Sequence, residues 1–391
     1  MTENNPLTEE TSIVALGASA RALAWSAMRA GFSPWTLDLF QDLDLARFSP
    51  GLKFIQGRPG NILKQLKQAP AGPLVYTGGL ENQPRLLKRI QKSRPVWGIT
   101  GDCLKKLRDP YGNKLSLEQA GLLAPQRLHL SQNPTDSCQW LVKPKRHAGG
   151  NEITPRPHSL HSTLQSKNEF FLEEWIEGES RSAVFLLGAS RAELLGVTCQ
   201  MTGWGCFHAS TFQYSGSIGP VEPLANEKAD LLWLGKILSV EMGGRGLVGV
   251  DYVLRQGRAV VIEINPRYSA SVEILEWSSG KPYFLLHARE FSQVNAIPSG
   301  FSKVQGILGK GIYFAPQDLV FPETGPWESG SSPFEFPAFA DIPWPGVCHQ
   351  AGAPVITAFA RGQSVAEVRN ILEKTAQELD NCFFPNGTVL R

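Results

Sequence analysis

The stretch LVGVDYVLRQGRAVVIEINPR (247–267) carries Asp251 and, twelve residues further on, Glu263 followed by Ile264-Asn265-Pro266-Arg267. Two apolar runs flank Gln256-Gly257, so the segment reads as a β-hairpin with a tight turn. Side chains at i and i+2 of a strand share a face, so Glu263 and Asn265 point the same way, and the short turn brings Asp251 alongside them. Three hard oxygen donors on one face suit Mg²⁺ held between protein and phosphates. Arg267 follows on the same edge, where a planar, permanently charged fork suits a phosphate oxygen. The bland alternative is a solvated hairpin with incidental charges. Against it, both carboxylates lie in very apolar strands, where an acid is costly unless paired or metal-bound.

Working upstream, LVKPKRHAGGNE (141–152) places Lys143 at the end of a strand that enters a glycine-bearing loop. Lys143 can supply a point charge to phosphates, and Gly149 and Gly150 let backbone N–H groups approach closely. By itself this also fits an exposed basic turn, with His147 a loop residue. FLEEWIEGE (171–179) reads as a strand running into a linker. Such a segment can offer backbone groups around Glu173, Glu174, Trp175 and Ile176 to an adenine edge, and Glu179 can accept from ribose hydroxyls. Alone, it also fits an edge strand with acidic, solvent-facing residues.

Outside this centre the pattern changes. SIVALG (12–17), an Ala-rich helix (18–30), a strand (35–40), a third strand (74–77) and a helix (84–92) alternate. Alternation implies a parallel sheet covered by helices, a Rossmann-like unit over residues 1–101. The stretch 102–125 reads as helix broken at Pro110 and Gly112. Antiparallel strands and a long helix (225–242) then make an α+β domain over 102–300. The remainder, 301–391, is a β-rich unit whose Pro/Gly/Ser-rich stretch 321–354 reads as a long surface loop.

Composition limits the function classes. With 391 residues, 42% hydrophobic and 19% charged, the chain is globular and long enough for two or three domains. A formal net charge of +2 gives no global field for nucleic acid or an anionic membrane. No apolar run is long enough to span a bilayer, and the N-terminus lacks the basic and apolar regions of a signal peptide. The six cysteines are scattered without a CxxC spacing, which argues against a zinc site or a disulfide framework and fits a reduced, cytoplasmic protein.

The order of lysine with glycine-rich loop, glutamate-rich hinge, aspartate, then Glu-x-Asn-Pro-Arg resembles the ATP-grasp superfamily in its biotin-carboxylase-like branch. GASARALAWSAMRAG (17–31), GGLEN (78–82), FQYSGSIGP (212–220) and EINPRYSASVEILE (263–276) are most similar to the branch called predicted ATP-dependent carboligases. The resemblance implies a mixed α/β and α+β architecture: a Rossmann-like pre-ATP-grasp domain, an ATP-grasp domain with a lid over about 140–190, and a carboxylase-like tail. It implies that Lys143 contacts ATP phosphates, that 173–176 line the adenine and that Glu179 binds ribose. Asp251, Glu263 and Asn265 would then hold Mg²⁺, with Mn²⁺ as an alternative, and Arg267 the acyl phosphate. For the earlier phosphate-binding cation of the superfamily, Arg108 and Lys114 both stand. At the helix N-terminus after the first strand, Gly17, Ser19 and Arg21 could hold an anionic substrate group, and Tyr268 could touch substrate. A tight strand-to-helix turn explains the first three equally well, and packing at the hairpin edge explains Tyr268.

The activity implied is ATP-dependent joining of a small-molecule carboxylate to an amine through an acyl phosphate. Some members of the branch are linked to tetrahydromethanopterin- and methylofuran-type one-carbon cofactors. The alternatives are a bicarbonate-using carboxylase and a non-catalytic ATP-binding sensor. The carboxylase is weakened by Ser271, which stands where biotin carboxylases place a base glutamate, with Glu273 displaced by two. A dinucleotide-binding oxidoreductase, suggested by Gly17 and by Asp38 about 20 residues on, lacks the GxGxxG glycines. No nucleic acid or membrane partner is expected, and monomer and homodimer both stand.

Overall fold

The computed structural model describes residues 11–54, 59–134, 138–146, 148–150, 152–156, 169–328 and 331–385. His147, read above as a loop residue, lies outside them.

The first unit alternates as its sequence suggests. Strands β1 (Ser12–Gly17), β2 (Ser33–Asp38), β3 (Gly51–Lys53) and β4 (Leu74–Tyr76) form a parallel sheet of order β3-β2-β1-β4. Helices α1 (Arg21–Arg29), α2 (Leu43–Phe48), α3 (Pro59–Gln65) and α4 (Pro84–Ile90) accompany it. The next two helices, α5 (Gly101–Arg108) and α6 (Pro110–Gln119), meet at Asp109, whose side chain accepts from the Tyr111 backbone N–H. Pro110 therefore starts a helix rather than breaking one. At the first helical position its missing N–H has no intrahelical partner to lose.

A small antiparallel sheet follows, built from β5 (Arg127–His129), β6 (Trp140–Pro144), β7 (Thr154–Pro155) and β8 (Phe170–Glu174) in the order β5-β8-β6-β7. The strands of this small sheet thus begin at 127 and end at 174. β9 (Glu179–Leu187) belongs to the large sheet, because its inward residues pack with that sheet's core.

The large sheet continues through β10 (Ala192–Thr202), β11 (Tyr214–Gly219), helix α7 (Ala225–Lys236) and the hairpin β12 (Gly246–Arg255) and β13 (Arg258–Asn265). Gln256 and Gly257, at φ +52° and +77°, make the left-handed two-residue turn that matches strand twist. Helices α8 (Ala270–Ser279) and α9 (Tyr283–Phe291) cover one face. Then come β14 (Ile307–Phe314), β15 (Leu319–Val320), β16 (Phe339–Ala340), β17 (Cys348–His349), β18 (Pro354–Gly362) and the long helix α10 (Val365–Phe383). The order β13-β12-β9-β10-β11-β14-β18-β16 makes one eight-stranded sheet. The C-terminal unit therefore extends the central sheet rather than closing a separate one.

The 321–354 stretch is not a surface loop. Phe321, Trp327, Phe339, Ala340 and Ile342 are buried, the first three among the side chains that pack against α10. Its Pro and Gly content marks turns between short anchored segments. No helix of the described residues is long and apolar enough to cross a membrane.

Candidate active site

The hairpin register decides the site. Asp251 pairs directly with Glu263, and Gly249 with Asn265, so the three side chains share one face. Asp251 also lies opposite Ser182 of β9, whose hydroxyl, with the Gln200 amide, donates to the carboxylate. Burial first, then the negative charge of Glu263, pushes the Asp251 carboxyl up to about 6. Asn265 Nδ2 donates to Asp251 Oδ2 at 2.9 Å, while its Oδ1 accepts from Arg267 Nη2 at 3.1 Å.

These groups face a cleft of about 1580 Å³ between the small and large sheets. Lys143, Gly149, Gly150, Glu173, Glu174, Trp175, Ile176, Asp251, Glu263, Asn265 and Arg267 all line it. Gly150 is required by geometry. Its φ is +76°, and a Cβ there would lie 1.9 Å from the Phe212 carbonyl oxygen. The Tyr214 backbone N–H donates to the Gly149 oxygen at 2.9 Å, which pins the loop to the start of β11.

Glu173 is not a free acid. Lys143 Nζ and Arg127 Nε donate to its two oxygens, each at 2.8 Å, with all three side chains buried. Burial alone would raise its carboxyl, but Lys143 and Arg127 outweigh that and hold it below the usual range. Arg127 was not singled out from sequence. It also donates to the Asn113 amide oxygen and to the Pro110 and Ile262 carbonyls, tying the small sheet to α6 and to β13. The available signal was an arginine at the first position of a short strand, which spacing alone does not separate from a surface residue.

The other candidates divide. Arg108 Nη1 reaches Glu263 Oε1 at 2.5 Å, whereas Lys114 forms a helix-surface pair with Glu118. Glu179 pairs with Arg181 and accepts from the Cys199 thiol, and it does not line the cleft; Glu177 does. Strand β9 begins at Glu179, so the linker that crosses the cleft is 175–178.

The N-terminal group takes a different role from the anion site considered above. The N-terminus of α1 is occupied by Asp38, whose Oδ2 accepts from the Ala20 N–H at 2.6 Å. Arg21 is buried against Glu273 and Asp341, with Asp44 close by. Burial, with the neighbouring Asp341 adding to it, raises Asp44 to about 7, even though Arg21 pulls the other way. Four aspartates, Asp38, Asp42, Asp44 and Asp341, therefore surround this end, a setting that repels an anion. Gly17 packs against Thr77, Ser19 is exposed beside Asp341, and Tyr268 is buried with its hydroxyl on the Ala22 carbonyl. Glu273 is engaged by Arg21 and Lys310, and Ser271 bonds to Thr198 and Ser217.

Two facing α+β halves with a carboxylate pair and a tethered lysine across one cleft define an ATP-grasp architecture. Residues 109–271 match the model of the ATP-grasp domain. The chain is 22% identical over 293 residues to the carbamoyl phosphate synthase large chain of Deinococcus radiodurans, covering 68% of this chain and 28% of that one. The chain spans about a quarter of the length of such curated relatives. Among solved structures, L-amino acid ligase from Bacillus licheniformis superposes with a TM-score of 0.67 at 14% identity, over 95% of this chain and 98% of that one. The biotin carboxylase domain of Hydrogenobacter thermophilus 2-oxoglutarate carboxylase, in complex with MgADP, ADP and bicarbonate, gives 0.66 at 12% identity, over 93% and 89%.

Proposed function

We propose that this protein is an ATP-dependent ligase that activates a small-molecule carboxylate as an acyl phosphate and passes it to an amine. The observation that carries the reading is the Asp251–Glu263 cross-strand pair, which faces the same cleft as Lys143 and Arg267.

Around that pair, Lys143, Arg127, Arg108 and Arg267 are matched by Glu173, Glu263, Asp251 and Glu81, four cations against four carboxylates. The site is close to neutral, so a bare triphosphate would meet no strong positive field. Two carboxylates held together, with the Asp251 carboxyl raised to about 6, suit a divalent cation. Asn265 completes the donor set once its amide turns over, because its nitrogen now faces Asp251. Among the described residues no three His, Cys, Asp or Glu side chains are placed to hold a metal ion together, and the set here is two carboxylates and one amide, the oxygen-rich kind that magnesium prefers. When bound between Asp251, Glu263 and Asn265, magnesium would supply positive charge against the phosphates.

The chain's own residues then do the positioning. Lys143, held by Glu173, presents a fixed charge. Arg108, paired with Glu263 at the edge of the site, would supply a second positive charge towards the phosphates. Arg267 keeps two N–H groups for the acyl phosphate. Phosphoryl transfer asks for little covalent help, so orientation and charge neutralisation supply the rate. Backbone of the 175–178 linker would meet the adenine edge, and Glu177, which lines the cleft, would serve the ribose.

The carboxylase alternative is disfavoured by Glu273, which is locked between two cations, and by the hydroxyl at Ser271. The test is ADP release from Mg-ATP across a panel of amino acids, pterin and furan acids with amines, and a labelled-bicarbonate arm. Glu263→Gln should lower ADP release at least 100-fold without moving the nucleotide-free melting midpoint by more than a few degrees. Unchanged turnover in that variant refutes the assigned role, and incorporation of labelled bicarbonate would favour the carboxylase.

A further inference from the structure

We propose that the GGLEN loop (78–82) of the N-terminal sheet is a positioning element for the transfer site: it fixes Arg267 through Glu81 and Arg108 through Asn82. The inference rests on the ligase reading above and assigns a task to the N-terminal unit, which otherwise contributes no side chain to the cleft among the described residues.

Three contacts between distant parts of the chain converge there. Arg267 Nε donates to Glu81 Oε1 at 2.7 Å, across 186 residues. Arg108 Nη2 donates to Asn82 Oδ1 at 3.1 Å. The Tyr76 hydroxyl, just before the loop, donates mainly to the Ile99 carbonyl at 2.5 Å and lies 3.2 Å from the Pro266 carbonyl, against the segment that carries Arg267. The loop backbone also runs close to the guanidinium: a Cβ on Gly78 would sit 3.6 Å from Arg267 Cζ. Gly79, at φ +99°, allows the chain to turn into the short helical turn Leu80–Asn82 that aims both side chains.

Glu81 is 2% exposed, and its second oxygen is buried with no hydrogen-bond partner among the described residues. A half-satisfied buried carboxylate is a cost the fold could avoid with an apolar residue. Its retention makes sense if the guanidinium needs an anionic anchor. A guanidinium has five N–H groups. Those of Arg267 engaged here go to Glu81, to Asn265 and, at 3.2 Å, to the Tyr268 carbonyl. Their three directions fix the plane of the fork, and one N–H on each Nη is left for a ligand. Glu81 does not line the cleft, so it acts through Arg267 and is a positioning residue rather than a catalytic one.

The test compares MgADP alone with MgADP plus orthovanadate, a mimic of the transferred phosphoryl group, by calorimetry on the full chain. Glu81→Gln keeps the shape and one acceptor but removes the charge, so it should fold. Vanadate should tighten MgADP binding to the natural chain. In Glu81→Gln that tightening should shrink at least tenfold while MgADP alone binds within about twofold. Asn82→Ala should weaken the vanadate complex in the same direction. If both ligands weaken by one common factor, or neither changes, the positioning role is overturned. If the natural chain binds MgADP but gains nothing from vanadate, Arg267 does not meet the transferred group and the inference falls alone. If it does not bind MgADP, the ligase reading falls with it.

Discussion

Holding Asp251 and Glu263 side by side should make the nucleotide-free protein less stable as pH rises. The Asp251 carboxyl goes from an ordinary 3.8 to about 6 on folding, by burial and by the neighbouring charge. The folded-state value is the higher one, so protonation favours folding. The stabilisation is full below about pH 4 and is lost as pH rises through about 6. Two pH units at about 1.36 kcal/mol each set an upper bound of about 3 kcal/mol. Glu263 is 19% solvent-exposed and paired with Arg108, so solvent screening trims this to about 1–2 kcal/mol. For a cooperative unit of about 150–250 residues that is roughly 2–8 °C in melting midpoint. The assay is the midpoint from pH 4 to pH 8 for the natural chain and for Asp251→Asn, with and without millimolar Mg²⁺. Other buried acids, including Asp44, titrate in both proteins, so the difference between the two curves isolates Asp251. The natural chain should lose 2–8 °C more than Asp251→Asn over this range, and Mg²⁺ should recover the loss only in the natural chain. Parallel curves, or equal rescue of the variant by Mg²⁺, would refute the argument that the pair is a strained cation site.

Two further outcomes follow from buried charge. Glu173→Gln strands Lys143 and Arg127 together and should cost about 3–5 kcal/mol, whereas Lys143→Met leaves Glu173 its arginine and should cost less while weakening MgADP binding at least tenfold; denaturation midpoints and calorimetry read both, and the reverse order of stability would contradict the triad. Arg21→Met leaves Asp341 and Asp44 without their cation and should lower stability by about 3–5 kcal/mol at pH 8, with a smaller loss near pH 5 as the acids protonate; a variant as stable as the natural chain at pH 8 would show that Arg21 does not hold the N- and C-terminal units together.

Much of the site was readable because strand periodicity is local. Asp251, Glu263 and Asn265 share a face by the period-2 rule and a two-residue turn, and the register shows that pairing. Glycines at 149 and 150 also announce themselves, since few residues tolerate their left-handed backbone. Arg127 was not legible, because its partners Glu173, Asn113 and the Ile262 carbonyl come from three different elements. Arg21 misled for a related reason. A helix N-terminus with an arginine suggests an anion site until Asp341, 320 residues away, arrives to neutralise it.

By itself, then, the sequence determined the kind of chemistry and the class of architecture, because hydrophobic period, turn residues and oxygen-donor spacing act within a few residues of one another. Only the tertiary structure decided which charges serve the cleft and which are locked in pairs. It made Glu173 a tether for Lys143, set Glu81 and Asn82 against two arginines, and drew the 321–354 stretch into the core. Those outcomes depend on which side chains become neighbours when water is excluded. A buried charge must find a partner wherever the fold provides one, and distance along the chain carries no information about where that is.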